Sequence, residues 1–344
     1  MKILIISDAW LPQLNGVVRT YQNLIPELEK LGHEVKILGP RDFKFRISSP
    51  WDVELAFFTR SKIEKTIDEF KPDRIHIAVE GPMGRNAIKI CRKRNIPFST
   101  CFHTNFPVFL VSHLRGPFKH FADPVYSKAY EALRNFHNQG HGIFVATEDL
   151  ANQLKNQGFK GPFLPMTRGM DSRFFYVGEK TLFQDLPQPI ALYVGRVSKE
   201  KNIDSFLSAA WEGTKVVVGD GADLERLKKK YPEARFLGRK EGKELGDCFR
   251  SADVFTFPSK FDTFGIVMIE ALACGLPIAA FNADGARTVI ADPMLGAMDD
   301  DFATALQKAL NAPGTREERA AHATNLYSWG KTAKQFLEAA PDYG

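Results

Sequence analysis

Short continuous apolar runs alternate along the chain with stretches of helical spacing, beginning at the first residues. Residues 2–7, centred on Ile3-Leu4-Ile5-Ile6, read as a buried parallel strand, because a strand covered on both faces loses the polar alternation of a half-exposed one. Pro12 and Gly16 mark a loop, 17–31 has helical spacing around an internal Pro26, and Gly32 stops it. The pattern predicts strands at 33–38, 74–78, 98–102 and 142–147, helices at 60–70 and 84–94, and helix or loop over 108–139. A second series starts at Pro189. It predicts strands at 190–194, 215–218, 235–237, 254–257 and 277–281, and helices at 202–211 and 222–230. Such alternation implies an α/β fold of two doubly wound, Rossmann-like domains with a cleft between them. Residues 165–189, bearing Pro165, Pro187 and Pro189 just after Pro162, are expected to link the two. The first domain is thus placed over 1–165 and the second over 185–324, with helical spacing resuming over 321–340.

Composition narrows the class. A length of 344 residues suits two domains, and a net charge of +5 is too mild to indicate nucleic acid as a partner. The charge is uneven, however. Residues 1–165 hold 23 basic and 16 acidic side chains, whereas 166–344 hold 23 basic and 25 acidic. The first apolar run is too short for a secretory signal, and the longest later one, 266–281, is broken by Glu270, Gly275 and Pro277, so no membrane span is expected. Cys91, Cys101, Cys248 and Cys274 are scattered, which argues against a disulfide framework or zinc site and fits a reducing cytoplasm. Neither the G-x-G-x-x-G fingerprint nor a P-loop follows either first strand, which disfavours a dehydrogenase or an ATPase.

Three blocks carry candidate chemistry. In Pro258–Pro277 a strand is followed by a helix whose first free N–H groups, around Phe264, Gly265 and Ile266, form an anion site. Asp262 lies just before that helix and Glu270 two turns inside it. Singly they read as a cap and a solvated charge; together they can accept hydrogen bonds from two sets of sugar hydroxyls. Glu270 favours the second reading, since its neighbours Val267, Met268, Ile269, Ala271, Leu272 and Ala273 are apolar. In Tyr193–Asn202, cations crowd a strand-to-helix join, where they oppose the helix dipole unless an anion sits there. Arg196 and Lys201 are therefore candidate diphosphate ligands, the alternative being a surface pair with Glu200. In the first loop, Gly16 permits close approach of a ligand at the end of the first strand.

These blocks resemble the retaining glycosyltransferases of the GT-B fold, specifically family four, over nearly the whole chain. Asp262–Glu270 resembles the family's E-x7-E motif, with Asp in place of the first Glu. Leu192–Val197 with Lys201 resembles its diphosphate-binding segment, and Val217–Gly221 and Phe236–Arg239 its intervening strands. The resemblance implies that Arg196 and Lys201 neutralise the donor diphosphate and that the amides of Phe264, Gly265 and Ile266 hold phosphate and sugar. It also implies that Asp262 binds sugar hydroxyls, Glu270 the nucleotide ribose, and Gly16 a phosphate, with Arg239 near the base. His103, on its own a structural or surface histidine, becomes by resemblance a contact to the donor sugar rather than a general base. No cofactor or metal is implied beyond the nucleotide sugar as co-substrate, and the departing phosphate would take the acceptor proton. A C-terminal helix of about 325–344 would cross back onto the first domain.

Residues 81–122 contain no Asp or Glu but include Arg92, Lys93, Arg94, Arg115 and Lys119, with aromatics such as Phe109 interleaved. Such a surface suits anionic lipid, although charge runs are more often simply solvated. The string from Glu80 to Gly84 and on to His103–Pro107 resembles the lipid-glycosylating branch of the family, the sulfoquinovosyl- and mannosyl-transferring enzymes. The expectation is a cytoplasmic enzyme, peripheral at the inner face of the membrane, moving a hexose-type sugar from a UDP- or GDP-sugar to a lipid or lipid-linked acceptor. The alternatives are a soluble transferase with a small-molecule or saccharide acceptor, and a non-catalytic nucleotide-sugar-binding module.

Overall fold

A computed structural model describes residues 1–13, 15–48, 54–103, 122–260 and 262–339. The chain divides into two compact units, Met1–Arg168 together with Trp329–Gly344, and Gly169–Ser328.

The first unit is built on a six-stranded parallel sheet in the order β2-β1-β5-β6-β7-β8. Its strands are β1 (Lys2–Ile6), β2 (Glu34–Leu38), β5 (Arg74–Ile77), β6 (Ser99–Cys101), β7 (Gly142–Val145) and β8 (Phe163–Pro165). Strand side chains alternate between faces, and both faces of β1 are covered. Ile3 and Ile5 pack with Tyr21, Leu24 and Leu28 of α1 (Gly16–Lys30), and with Ala333 and Phe336 of the terminal helix α13 (Trp329–Ala339). Leu4 and Ile6 pack instead with Ile63 and Ile67 of α2 (Arg60–Phe70) and Ala87 and Ile90 of α3 (Pro82–Arg94). The terminal helix is further tied down where Arg74 Nη1 donates to the Leu337 carbonyl at 2.7 Å and Gln335 Oε1 accepts from Thr167. Helices α4 (Ala122–His137) and α5 (Glu148–Asn156) complete the unit, with a short antiparallel hairpin, β3 (Arg46–Ser48) and β4 (Glu54–Ala56), inserted after β2.

The second unit has its own six-stranded parallel sheet, ordered β11-β10-β9-β12-β13-β14. The strands are β9 (Ile190–Val194), β10 (Thr214–Val218), β11 (Arg235–Phe236), β12 (Val254–Phe257), β13 (Ile278–Ala280) and β14 (Gly296–Met298). Counted from β9 this is the order 3-2-1-4-5-6, which reverses direction between β9 and β12. In open parallel sheets a crevice opens at that point beyond the strands' carboxyl ends, and ligands bind there.

Two features differ from the sequence reading. From Gly169 onward, the stretch expected to link the domains belongs to the second unit: the N–H groups of Thr181 and Leu182 donate to Ser251 Oγ, and Phe175 packs edge-on against Phe249. Pro165 ends β8, and Pro189 immediately precedes β9. The helical spacing over 321–340 is likewise shared by two helices, α12 (Arg316–Leu326) and α13. They part at Tyr327 and Ser328, where the chain passes from one unit to the other.

Candidate active site

The crevice of the second unit gathers residues from separate blocks of sequence. After β9 the chain forms a 3-10 turn, Lys199–Lys201, before α6 (Ile203–Ser208). After β12 it runs through Pro258 and Asp262 into α9 (Ile266–Ala273). Lys201 Nζ donates to both carboxylate oxygens of Asp262, at 2.7 and 2.8 Å. Burial pushes the Asp262 pKa up, but the Lys201 charge and its hydrogen bonds, with help from Ser259 and Arg196, outweigh burial and hold it below the ordinary carboxylate range. Asp262 is therefore ionised at neutral pH, and it stands three residues ahead of a helix N-cap. That terminus has no side-chain cap: its N-cap is Gly265, in the left-handed conformation at φ 84°, and the first turn holds no acid. Such a helix end, with a lysine close by, attracts an anion.

The segment after β9 is held by its neighbour strand. The N–H of Gly195 donates to the Val218 carbonyl and that of Val197 to Asp220. Gly219 and Gly221 make this approach feasible, since a Cβ at either would stand 1.8 and 2.3 Å from the carbonyl oxygens of Gly195 and Val197. Arg196 reaches Glu200 at 3.1 Å, so the pairing weighed from sequence exists, with the arginine half exposed. Glu270 is buried in α9, as is Phe264 just before the helix, where its ring meets Tyr327. Arg239 follows β11 and donates through Nε to Glu241 at 3.1 Å.

In the first unit, His103 follows β6 and enters a buried polar chain. Arg168 Nη2 lies 3.2 Å from His103 Nδ1, His103 Nε2 lies 3.0 Å from the Tyr21 hydroxyl, and that hydroxyl lies 2.7 Å from His76 Nε2. His76 Nδ1 then meets Ser99 Oγ at 2.9 Å. A guanidinium can only donate, so Nδ1 of His103 accepts and the ring proton sits on Nε2, facing Tyr21. The Tyr21 hydroxyl in turn donates to His76, whose Nδ1–H points at Ser99. Burial, reinforced by the Arg168 charge, lowers the His103 pKa well below the ordinary value, and burial pushes His76 down to about 3. Both rings are neutral at physiological pH.

At the carboxyl end of β1, buried Asp8 accepts from the N–H groups of Met83 and Gly84, each at 3.0 Å, at the start of α3. Burial raises its pKa to about 6 even though those two hydrogen bonds act to lower it. Gly16 is the first residue of α1, whose N-cap is Asn15; a Cβ at Gly16 would meet no described atom within 4 Å, so no crowding among these residues demands a glycine there.

The basic residues are placed less uniformly than their spacing suggested. Arg92, Lys93 and Arg94 form the last turn of α3, where cations complement the helix dipole. Arg94 is paired with Asp68 of α2, and Arg92 donates to Gln139. Phe109, Arg115 and Lys119 lie outside the described residues. Tyr21, His76, Arg168 and Asp8 were missed from sequence. The partner of each lies tens of residues away, so spacing along the chain carries no signal of the contact. Among the described residues, no group of three or more His, Cys, Asp or Glu side chains is placed to hold a metal ion.

Two parallel, doubly wound sheets, the second with a crevice at its switch point, are the architecture of the GT-B fold, and known glycosyltransferases share it. Comparison with known proteins agrees. The family model for "Glycosyltransferase Family 4" matches residues 14–164, and that for "Glycosyl transferases group 1" matches 179–326. The chain is 26% identical to a GDP-mannose-dependent alpha-mannosyltransferase of Corynebacterium glutamicum, over 90% of this chain and 79% of that one. It is 27% identical to an alpha-monoglucosyldiacylglycerol synthase of Acholeplasma laidlawii, over 81% and 79%. Among solved structures, a sucrose-phosphate synthase of Thermosynechococcus elongatus shares the fold with a TM-score of 0.79 at 19% identity, covering 98% of this chain and 97% of the other. The chain belongs to the glycosyltransferases, with a family 4 domain followed by a group 1 domain.

Proposed function

We propose that this glycosyltransferase moves a hexose-type sugar, with retention of configuration, from a UDP- or GDP-sugar to a membrane lipid or lipid-linked acceptor. The observation that carries the donor half is the uncapped N-terminus of α9 beside the Lys201–Asp262 pair. In the donor complex the diphosphate takes the helix end, and Lys201 turns from Asp262 toward the phosphates and stabilises the charge that grows on the leaving group. Asp262, released, accepts hydrogen bonds from sugar hydroxyls, and Glu270 accepts those of the ribose. Arg196 adds a second cation to the diphosphate, and Arg239 lies toward the base. His103, neutral and oriented by Arg168 and Tyr21, contacts the sugar as a hydrogen-bond partner; a ring whose basicity is so depressed is a poor general base. Gly16 contributes backbone contact to phosphate. The reaction needs no metal, because cations of the chain neutralise the diphosphate.

The acceptor half draws its support from a relative named for synthesis of a glucosylated diacylglycerol, while another, named for dependence on GDP-mannose, supports the nucleotide-sugar donor. In this reading the protein works peripherally at the cytoplasmic face of an anionic membrane. No helix among the described residues is long and apolar enough to cross a membrane. Thermal unfolding in the presence of UDP- and GDP-sugars tests the donor: the cognate nucleotide at 100 times its Kd adds about 2.7 kcal/mol. Incubating that donor with diacylglycerol vesicles, with and without EDTA, tests acceptor and metal. An α-linked glycolipid by NMR, formed equally in EDTA, is the expected product; transfer only to soluble saccharides, or none at all, overturns the acceptor assignment.

A further inference from the structure

The hairpin after β2 breaks the rule that the fold otherwise follows. Phe45, Ile47 and Phe58 are 65%, 62% and 84% exposed, and Phe57 is also exposed. The register pairs Ile47 with Leu55, and the Phe57 N–H donates to the Phe45 carbonyl at 3.0 Å. Residues paired across strands share a face, so Phe45, Ile47, Leu55 and Phe57 line one side of the hairpin. The Phe58 ring extends it, edge-on to Phe45 at 5.5 Å. Lys44 and Arg46 alternate with these apolar residues and are exposed, and neither enters an ion pair among the described residues. Phe43 meanwhile packs in the core of the unit and anchors the base of the hairpin.

We infer that this hairpin is the surface by which the protein docks on an anionic lipid bilayer. Aromatic and aliphatic side chains alternating with cations that form no ion pair among the described residues, Arg46 donating only to the Phe43 carbonyl, match the boundary between acyl chains and acidic headgroups. A second protein copy fits less well: a stable interface needs about 800 Å² per partner, more than four or five side chains supply. Position supports the same choice. The hairpin leaves the carboxyl end of β2, the edge of the sheet at which His103 follows β6. Arg92–Arg94 sit at the opposite edge, since α2 and α3 lie side by side with Thr59 against Asn86 at one end and Asp68 against Arg94 at the other. Within the first unit, therefore, the hairpin shares its sheet edge with His103, and Arg92–Arg94 do not. The inference rests on the lipid-acceptor reading for its purpose, not for its observations.

The test is flotation of the full chain with vesicles of phosphatidylcholine mixed with phosphatidylglycerol, and with phosphatidylcholine alone, neither containing acceptor. Wild type is expected to float with the anionic vesicles. Phe45→Ser/Ile47→Ser/Phe58→Ser should weaken binding at least ~10-fold. Lys44→Gln/Arg46→Gln, which spares the apolar face, should weaken it by about 5-fold per charge. Arg92→Gln/Lys93→Gln should float as wild type. Unchanged thermal stabilisation by the donor nucleotide confirms that each variant is folded, and the cation pair decides the matter if the apolar triple is not. Failure of wild type to float, undiminished floating of both hairpin variants, or loss in the Arg92/Lys93 variant instead would each overturn the inference. So would light scattering that shows a wild-type dimer and a monomeric triple variant. Vesicle binding without lipid glycosylation would sink the acceptor reading and leave the docking surface standing.

Discussion

Two helix N-termini in this molecule face the same electrostatic problem and solve it oppositely. In the first unit α3 begins at the carboxyl edge of the sheet, and the chain supplies its own anion: Asp8 takes the N–H groups of Met83 and Gly84. The fit is tight enough that a Cβ at Gly81 would stand 2.2 Å from the Asp8 carboxyl carbon. In the second unit α9 begins at the corresponding edge with no side-chain cap, and Asp262, three residues before its N-cap, is paired with Lys201. A terminus filled from within is part of the scaffold. One left open beside a lysine is poised for an exogenous phosphate.

The strongest way to break this contrast is to remove Lys201. Lys201→Ala should lower sugar transfer by about 10²–10³-fold, the scale of losing one preorganised group that stabilises developing charge. Circular dichroism should show the fold unchanged, and a rate near wild type would remove the second terminus from the chemistry. The next effect is on stability. Asp8 keeps its proton up to about pH 6 when folded but only to about 3.8 when unfolded, so between those values the native state binds the extra proton. Stability should therefore fall as pH rises through that window, by an amount on the order of 3 kcal/mol. Denaturant titrations at several pH values should show this slope in wild type, and it should vanish in Asp8→Asn.

A sharper version converts one terminus into the other. Asp8→Ala should cost about 1 kcal/mol of cap and leave an anion site, so that sulfate raises the melting temperature of the variant more than that of wild type. Equal responses would mean that Asp8 does not fill the site. The smallest effect concerns the histidine chain. Tyr21→Phe removes the bridge between His103 and His76 and should cost about 1 kcal/mol of stability. With His103 relieved of its Tyr21 contact and held by Arg168, kcat should fall several-fold while donor KM stays close to wild type, measurable by steady-state kinetics.

Much of the fold was legible where the apolar runs are continuous. The strands at 190–194 and 254–257 and the helix at 60–70 are seen at their expected residues, because burial on both faces or a single apolar stripe leaves an unambiguous pattern. Short elements escaped. Helices α5 and α11 (Phe302–Leu310) carry cap residues, Thr147 and Asp301, that could have signalled them. The hairpin had no comparable mark, since its alternating cations and apolar residues match a strand whose apolar face would normally be covered.

The sequence by itself determined the parallel α/β architecture, the glycine-marked turns and the family resemblance, all of which rest on neighbours within a few residues. It nominated Lys201 and Asp262 separately but not as a pair. Their ion pair exists because the sheet order sets β9 beside β12, which brings residues 61 apart in sequence to within 2.7 Å. The tautomer of His103, the acid that fills the first helix end and the edge of the sheet to which each cation belongs were likewise decided by tertiary structure. A side chain's protonation and accessibility depend on what surrounds it in space, and spacing along the chain records only the neighbours a single element can provide.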